Sequence, residues 1–202
     1  EAAKKLLDEA GFVDDDNDPA TPRVAKGAKY APDGTALKFT LFTNEGNSRR
    51  GTVGTLVQDQ LTQIGFEVDF QAIDFNTLLD IMDGQTFDAV VLGWRNGYPD
   101  DPDQTQIFTT KSDVVPGGSN NMSYSNPEVD KLMEEARVLP GCDPVARADI
   151  YHKIQKIMQD DLPYIPLYSI EGMYAAGSNI NGFGPYPSQL YWNTDTWALK
   201  TP

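Results

Sequence analysis

The chain has 202 residues and a formal net charge of −14, with 16 Lys plus Arg set against 30 Asp plus Glu. That length allows one sizeable core or two small ones, and 40% hydrophobic residues mark a globular rather than a disordered chain. The acidic balance argues against nucleic acid or an anionic membrane surface as partner. The single cysteine, Cys142, excludes an internal disulfide, and no apolar run approaches the roughly 20 residues of a membrane span.

In chain order, Leu6, Leu7 and Ala10 give a short helical stripe that is already under way at the first residue. With no start methionine, the sequence is expected to be a fragment of something longer, and a missing leader says nothing about export. Gly11 stands where a glycine closes a helix, with Phe12 as the hydrophobic contact beyond it. Residues 13–35 are dense in Asp, Pro and Gly and read as a polar loop. Asp14, Asp16 and Asp18 have the alternate spacing of a calcium loop. Its sixth and twelfth positions are Pro19 and Ala25 rather than glycine and glutamate, so a solvated loop is preferred.

Residues 37–43, LKFTLFT, alternate apolar and polar as a strand does. A helix is predicted from about Gly51, its inner face Val53, Leu56, Val57, Leu61 and Ile64, ended by Gly65. Residues 66–73 form a second strand. Asp74 caps a third helix that carries Leu78, Leu79 and Met82 and is closed by Gly84. Residues 87–92 make a third, apolar strand. Strand, helix, strand, helix, strand with crossovers of this length implies parallel pairing in an open α/β sheet with flanking helices. Right-handed crossovers on opposite faces put the first strand between the other two. Further strands would make the sheet mixed.

Residues 103–108 suggest a short helix, and 111–122 a Gly/Ser/Asn loop. Asn126-Pro127 starts a helix with Val129, Leu132, Met133 and Ala136 inside. Asp143-Pro144 starts a longer one with Ile150, Ile154, Ile157 and Met158 inside, ended at 160–163. Residues 165–174, IPLYSIEGMY, read as a further strand, and the tail from Ala175 as irregular.

Signals for catalysis are weak. His152 is the lone histidine and reads as a solvent-facing or partly packed residue, so no histidine cluster for zinc is available. No phosphate loop, GxGxxG turn or GxSxG elbow occurs. Asp100, Asp101 and Asp103 are closely spaced but suit helix capping and solvent. No catalytic residue, metal site or cofactor is expected. What remains is a recognition loop at the end of the third strand: Trp94, Arg95, Asn96, Gly97, Tyr98 and Asp100. It offers flat aromatic faces, a forked cation and a neutral amide where open α/β sheets bind ligands.

The chain resembles the C-terminal lobe of the family 5 extracellular solute-binding proteins, the oligopeptide, dipeptide and nickel receptors of ABC importers. The resemblance rests on AAKKLLDEAGF, LKFTLFTN, LVQDQLTQIGFEVDF, FDAVVLGWRNGYPDDPD, NMSYSNPEVDKLMEEA and RADIYHKIQKIMQDDLPYIPLY, in the family's order across nearly the whole chain. It implies that residues 1–202 are a single C-terminal lobe of a type 2 periplasmic-binding-protein fold. The implied protein binds a small-molecule or peptide ligand between two lobes and delivers it to ABC permease subunits. It also implies a monomer, without nucleic acid, in the periplasm or outside the cell, with a lipid anchor through the absent N-terminus as one form. Peptide receptors of this family carry an aspartate three residues after the tryptophan, which receives the peptide's α-ammonium; here that position is Gly97. A receptor for a non-peptide solute such as an oligosaccharide therefore stands as one alternative. A hydrolase domain on an α/β scaffold is the alternative of another class.

Overall fold

A computed structural model describes all residues except 19, 96–100, 187–188 and 201–202, and only the backbone of Cys142. It falls into two units: Glu1–Gly93 with Val114–Asn121, and Trp94–Asp113 with Met122–Pro202.

In the first unit, helix α1 (Ala2–Glu9) ends at Ala10, and Gly11 follows with φ +83°, the left-handed closing position expected of it. Strands β1 (Phe12–Val13) and β2 (Val24–Ala25) pair antiparallel. The stretch read as a solvated loop is thus pinned to the body of the unit, and its anchor is Arg23, buried at 4% exposure. Its guanidinium donates to Asp8 Oδ1 at 2.6 Å, to Phe12 O at 2.7 Å and to Ile64 O at 3.0 Å. Asp14, Asp16 and Asp18 accept turn hydrogen bonds from backbone N–H groups at 17, 18 and 20.

Strand β3 (Lys38–Asn44), helix α2 (Ser48–Thr62), strand β4 (Glu67–Ile73), helix α3 (Phe75–Asp83) and strand β5 (Ala89–Val90) form the α/β body. The sheet order is β4-β3-β5, every pairing parallel, so the first long strand is central as expected. Helix α2 begins before the predicted Gly51, because Asn47 caps it by accepting the Arg50 N–H. Its Val53, Val57 and Leu61 pack with Phe39, Phe66 and Phe70 around buried Leu41, Val68 and Val91, while Leu56 faces solvent. Gly54 is needed for this approach, since a Cβ there would lie 2.1 Å from the Phe70 ring. Asp74 caps α3, and Leu78 is fully buried, but Leu79 is exposed. Gly84 ends α3 in a right-handed conformation, and the positive φ falls on Gln85 instead.

In the second unit, a short helix α4 (Thr105–Phe108) precedes α5 (Pro127–Arg137) and α6 (Pro144–Asp161). Asn126 and Asp143 cap the two long helices, each followed by proline, as the sequence indicates. Val129, Leu132, Met133 and Ala136 pack against Ile150, Tyr151 and Ile154, with Ile157 and Met158 partly buried alongside. Strands β6 (Ile180–Asn181) and β7 (Ala198–Leu199) pair antiparallel in the tail, near a cluster of Phe183, Tyr191 and Trp197 rings.

Residues 165–174 do not form the predicted strand. Ile165, Leu167, Tyr168, Ile170 and Met173 are all exposed. An alternating sequence becomes a strand only where another strand supplies its backbone partners. Among the described residues none pairs with this stretch.

Candidate functional site

The site predicted from sequence begins just past β5. Trp94 and Arg95 are described and both are exposed; Asn96, Gly97, Tyr98 and Asp100 lie outside the described residues. Trp94 is 57% exposed, which is unusual for so large an aromatic. It is nevertheless oriented: the indole Nε1–H donates to the Tyr164 hydroxyl at 3.2 Å. Tyr164 is itself held edge-on by Phe108 of α4, centroids 5.1 Å apart at 68°. Burial pushes the Tyr164 hydroxyl's pKa up, against a smaller opposing pull from the indole N–H, so it is a neutral phenol at physiological pH. The trio is therefore an uncharged aromatic platform with one fixed edge.

Asp101 is the first described residue after the predicted site. Arg147, in the first turn of α6, donates to it through both terminal nitrogens, at 2.9 and 3.4 Å. This paired contact holds the Asp101 carboxyl below the usual carboxylate range, helped by the Asp103 N–H. Arg147 also donates to Ala136 O at 3.2 Å and to the Tyr151 hydroxyl at 3.3 Å. Its guanidinium lies 5.3 Å from the Tyr151 ring centroid.

In the first unit, the C-terminal end of β3 carries its own polar group. Arg50 Nη1 donates to Asn44 Oδ1 at 2.6 Å. Buried Thr43 donates to Val91 O at 2.8 Å, fixing the chain just past β5. Among the described residues no group of three or more His, Cys, Asp or Glu side chains is arranged to hold a metal ion, and His152 is exposed.

Tyr164, Arg147 and Arg50 escaped the sequence reading. Arg147 left a signal: a cation in the first turn of a helix opposes the helix dipole, so it needs a specific partner. Tyr164 left a weaker one, an aromatic between Pro163 and Pro166 straight after a helix end.

The family model described as bacterial extracellular solute-binding proteins, family 5 Middle, matches residues 1–115. The oligopeptide-binding protein AppA of Bacillus subtilis is 33% identical over 199 residues, which cover 98% of this chain and 34% of that protein. Its structure in complex with a nonapeptide superposes with a TM-score of 0.73 at 30% identity, covering 99% of this chain and 37% of that one. A periplasmic oligopeptide-binding protein of Thermotoga maritima, determined with mannohexaose bound, shares the fold with a TM-score of 0.67 at 24% identity, covering 82% of this chain and 30% of that one. The chain thus spans about a third of the length of the proteins it matches. It carries part of a type 2 periplasmic-binding-protein fold, and it belongs to the bacterial extracellular solute-binding proteins of family 5.

Proposed function

We propose that this chain is the C-terminal lobe of the substrate-binding component of an ABC importer. The component binds an extracytoplasmic peptide between two lobes and hands it to membrane permease subunits, without chemical turnover. It acts as a monomer in the periplasm or at the cell surface, with a lipid anchor as one form and without nucleic acid. The observation that carries this reading is Trp94: a large aromatic left exposed yet fixed in orientation by Tyr164. A surface aromatic held in place loses little entropy on meeting a ligand, which is what a recognition platform requires. The peptide class is supported by AppA, whose structure was determined with a nonapeptide.

Calorimetric titration of the full-length protein with mixed-sequence penta- and nonapeptides tests this. Binding is expected, weakened about 10- to 100-fold by Trp94→Ala, in line with the loss of an aromatic hot spot of about 2 kcal/mol. Absence of binding to any peptide would overturn the peptide assignment.

A second reading, a non-peptide solute, is favoured by Gly97, which offers no carboxylate for a peptide's α-ammonium. Burying that ammonium opposite a neutral group costs several kcal/mol. The T. maritima protein determined with mannohexaose has this fold, so the fold alone does not decide between ligand classes. Tight binding of free peptides abolished by N-acetylation would argue against this second reading.

A further inference from the structure

Resting on the peptide-receptor reading, we infer that Arg50 binds a carboxylate of the ligand at the C-terminal ends of β3 and β5. The sheet topology sets the place. The chain leaves β3 for β4 on one side, then crosses back over β3 to reach β5 on the other. In an open parallel sheet, ligands bind in the crevice beyond the C-terminal ends of the strands at such a reversal. Here that place is flanked by Asn44, the last residue of β3, and by Gly93, three residues past β5. Buried Thr43 ties the two chain ends together, its hydroxyl donating to Val91 O at 2.8 Å. Arg50 reaches the same place from α2. Its Nη1 donates to Asn44 Oδ1 at 2.6 Å, and a Cβ on Gly93 would lie 3.8 Å from its Nη2.

The guanidinium is oriented in advance. Asn44, which accepts from it, is itself held by donation from Nδ2 to Glu45 O at 3.0 Å, and Arg50 is half-buried. What it lacks is a counter-charge. Arg23 is buried and Arg147 half-buried, and each holds a carboxylate, at 2.6 and 2.9 Å. Arg50 holds a neutral amide instead, and among the described residues it forms no ion pair. In a chain with 30 Asp plus Glu against 16 Lys plus Arg, carboxylates are not in short supply. Helix α2 gains nothing from the charge either, because a cation in the first turn opposes the helix dipole and that turn holds no acidic residue. A partly desolvated cation without a counter-ion is costly until an anion reaches it. A guanidinium fork suits a carboxylate, which can take two parallel N–H bonds. Gly93 contributes no side chain that would cover Nη2.

The test is calorimetric titration of the full-length protein with three nonapeptides that share one sequence. The first has a free C-terminal carboxylate and no Asp or Glu. The second is its C-terminal amide, and the third is that amide with one Gln replaced by Glu. Wild type is expected to bind one of the two carboxylate-bearing peptides about 10- to 100-fold more tightly than the plain amide. Preference for the first assigns Arg50 to the peptide's C-terminus, and preference for the third assigns it to an acidic side chain. Arg50→Met should erase the preference, with the plain amide losing much less. Arg50→Lys should retain part of it, because it keeps the charge but not the fork. Equal wild-type affinities for all three peptides would overturn the inference and leave the peptide reading standing. Arg50→Met weakening all three alike would also overturn it, because the residue would then only prop the strand ends. Binding of none of the three would remove the peptide reading, and this inference with it.

Discussion

Replacing Arg23 by methionine removes the best-buried charge among the described residues while keeping most of the aliphatic stem that packs against Gly65. Three hydrogen bonds are lost, and they differ in worth. Asp8 is 59% exposed, so it regains water and its share is that of a surface pair, about 0–1 kcal/mol. Phe12 O and Ile64 O lose their charged donors at 2.7 and 3.0 Å. Each such loss costs about 1–3 kcal/mol when no other donor reaches the carbonyl. Relief of the desolvation of the guanidinium works the other way. The balance is a loss of about 2–3 kcal/mol, because the two carbonyls outweigh the single hydrated partner. Asp8→Asn should cost under about 1 kcal/mol by the same reasoning. Thermal unfolding of the full-length protein, with hydrogen exchange followed at residues 12–13 and 64–65, measures both. An Arg23→Met variant within about 0.5 kcal/mol of wild type, or an Asp8→Asn variant as costly as Arg23→Met, would refute the ranking.

Gly54→Ala should destabilise by up to about 2 kcal/mol: overpacking against the Phe70 ring costs about 1–3 kcal/mol and helix propensity returns at most about 1. An increase in melting temperature would show that the ring yields freely. Asp143→Ala, which strips the cap bonds to the Val145 and Ala146 N–H groups, should cost about 1 kcal/mol in denaturant unfolding; no change would mean that the cap is dispensable. Asp161 has its pKa lowered by the Tyr124 hydroxyl and then the Asn126 amide, both donating to its carboxylate. A depressed carboxyl stabilises fully above its unfolded pKa of about 3.9 and loses that contribution as pH falls through the folded value. Acid titration should therefore show Asp161→Asn less stable than wild type at neutral pH and closing on it below about pH 4; a constant gap down to the lowest pH would contradict this.

The parts of the fold legible in sequence are those fixed by neighbours within a few residues. Asn126-Pro127 and Asp143-Pro144 mark helix starts because the cap bonds span two or three positions. The inner faces of α5 and α6 follow from helical period alone. The central place of β3 follows from crossover handedness. Arg23 was hidden because its partners, Asp8, Phe12 and Ile64, come from distant segments and nothing local distinguishes it from a surface arginine. Residues 165–174 have strand composition, but composition cannot say whether a partner strand is at hand. In the candidate site, the end of β5 pointed to Trp94 and Arg95, whereas the mount beneath Trp94 comes from Tyr164, 70 positions away.

That separation between platform and mount leads to a last expectation about Trp94. Most of its surface faces solvent, so removing it exposes little that was buried, and the usual cost of about 3–5 kcal/mol for deleting a core aromatic does not apply. Among the described residues its indole makes one side-chain hydrogen bond, neutral and 3.2 Å long, worth about 1 kcal/mol net. Trp94→Ala should therefore lower stability by about 1 kcal/mol or less while costing much more in affinity for a nonapeptide. Trp94→Phe divides the two roles further: it keeps an aromatic face and loses only the bond to Tyr164. If orientation by Tyr164 matters, Trp94→Phe should bind more weakly than wild type but more tightly than Trp94→Ala, with all three melting within a few degrees of one another. Equal affinities for Trp94→Phe and wild type would leave the aromatic face as the sole contribution and make the hydrogen bond incidental. A large fall in melting temperature for Trp94→Ala would place the indole in the packing of the second unit and remove the basis for treating it as a binding surface.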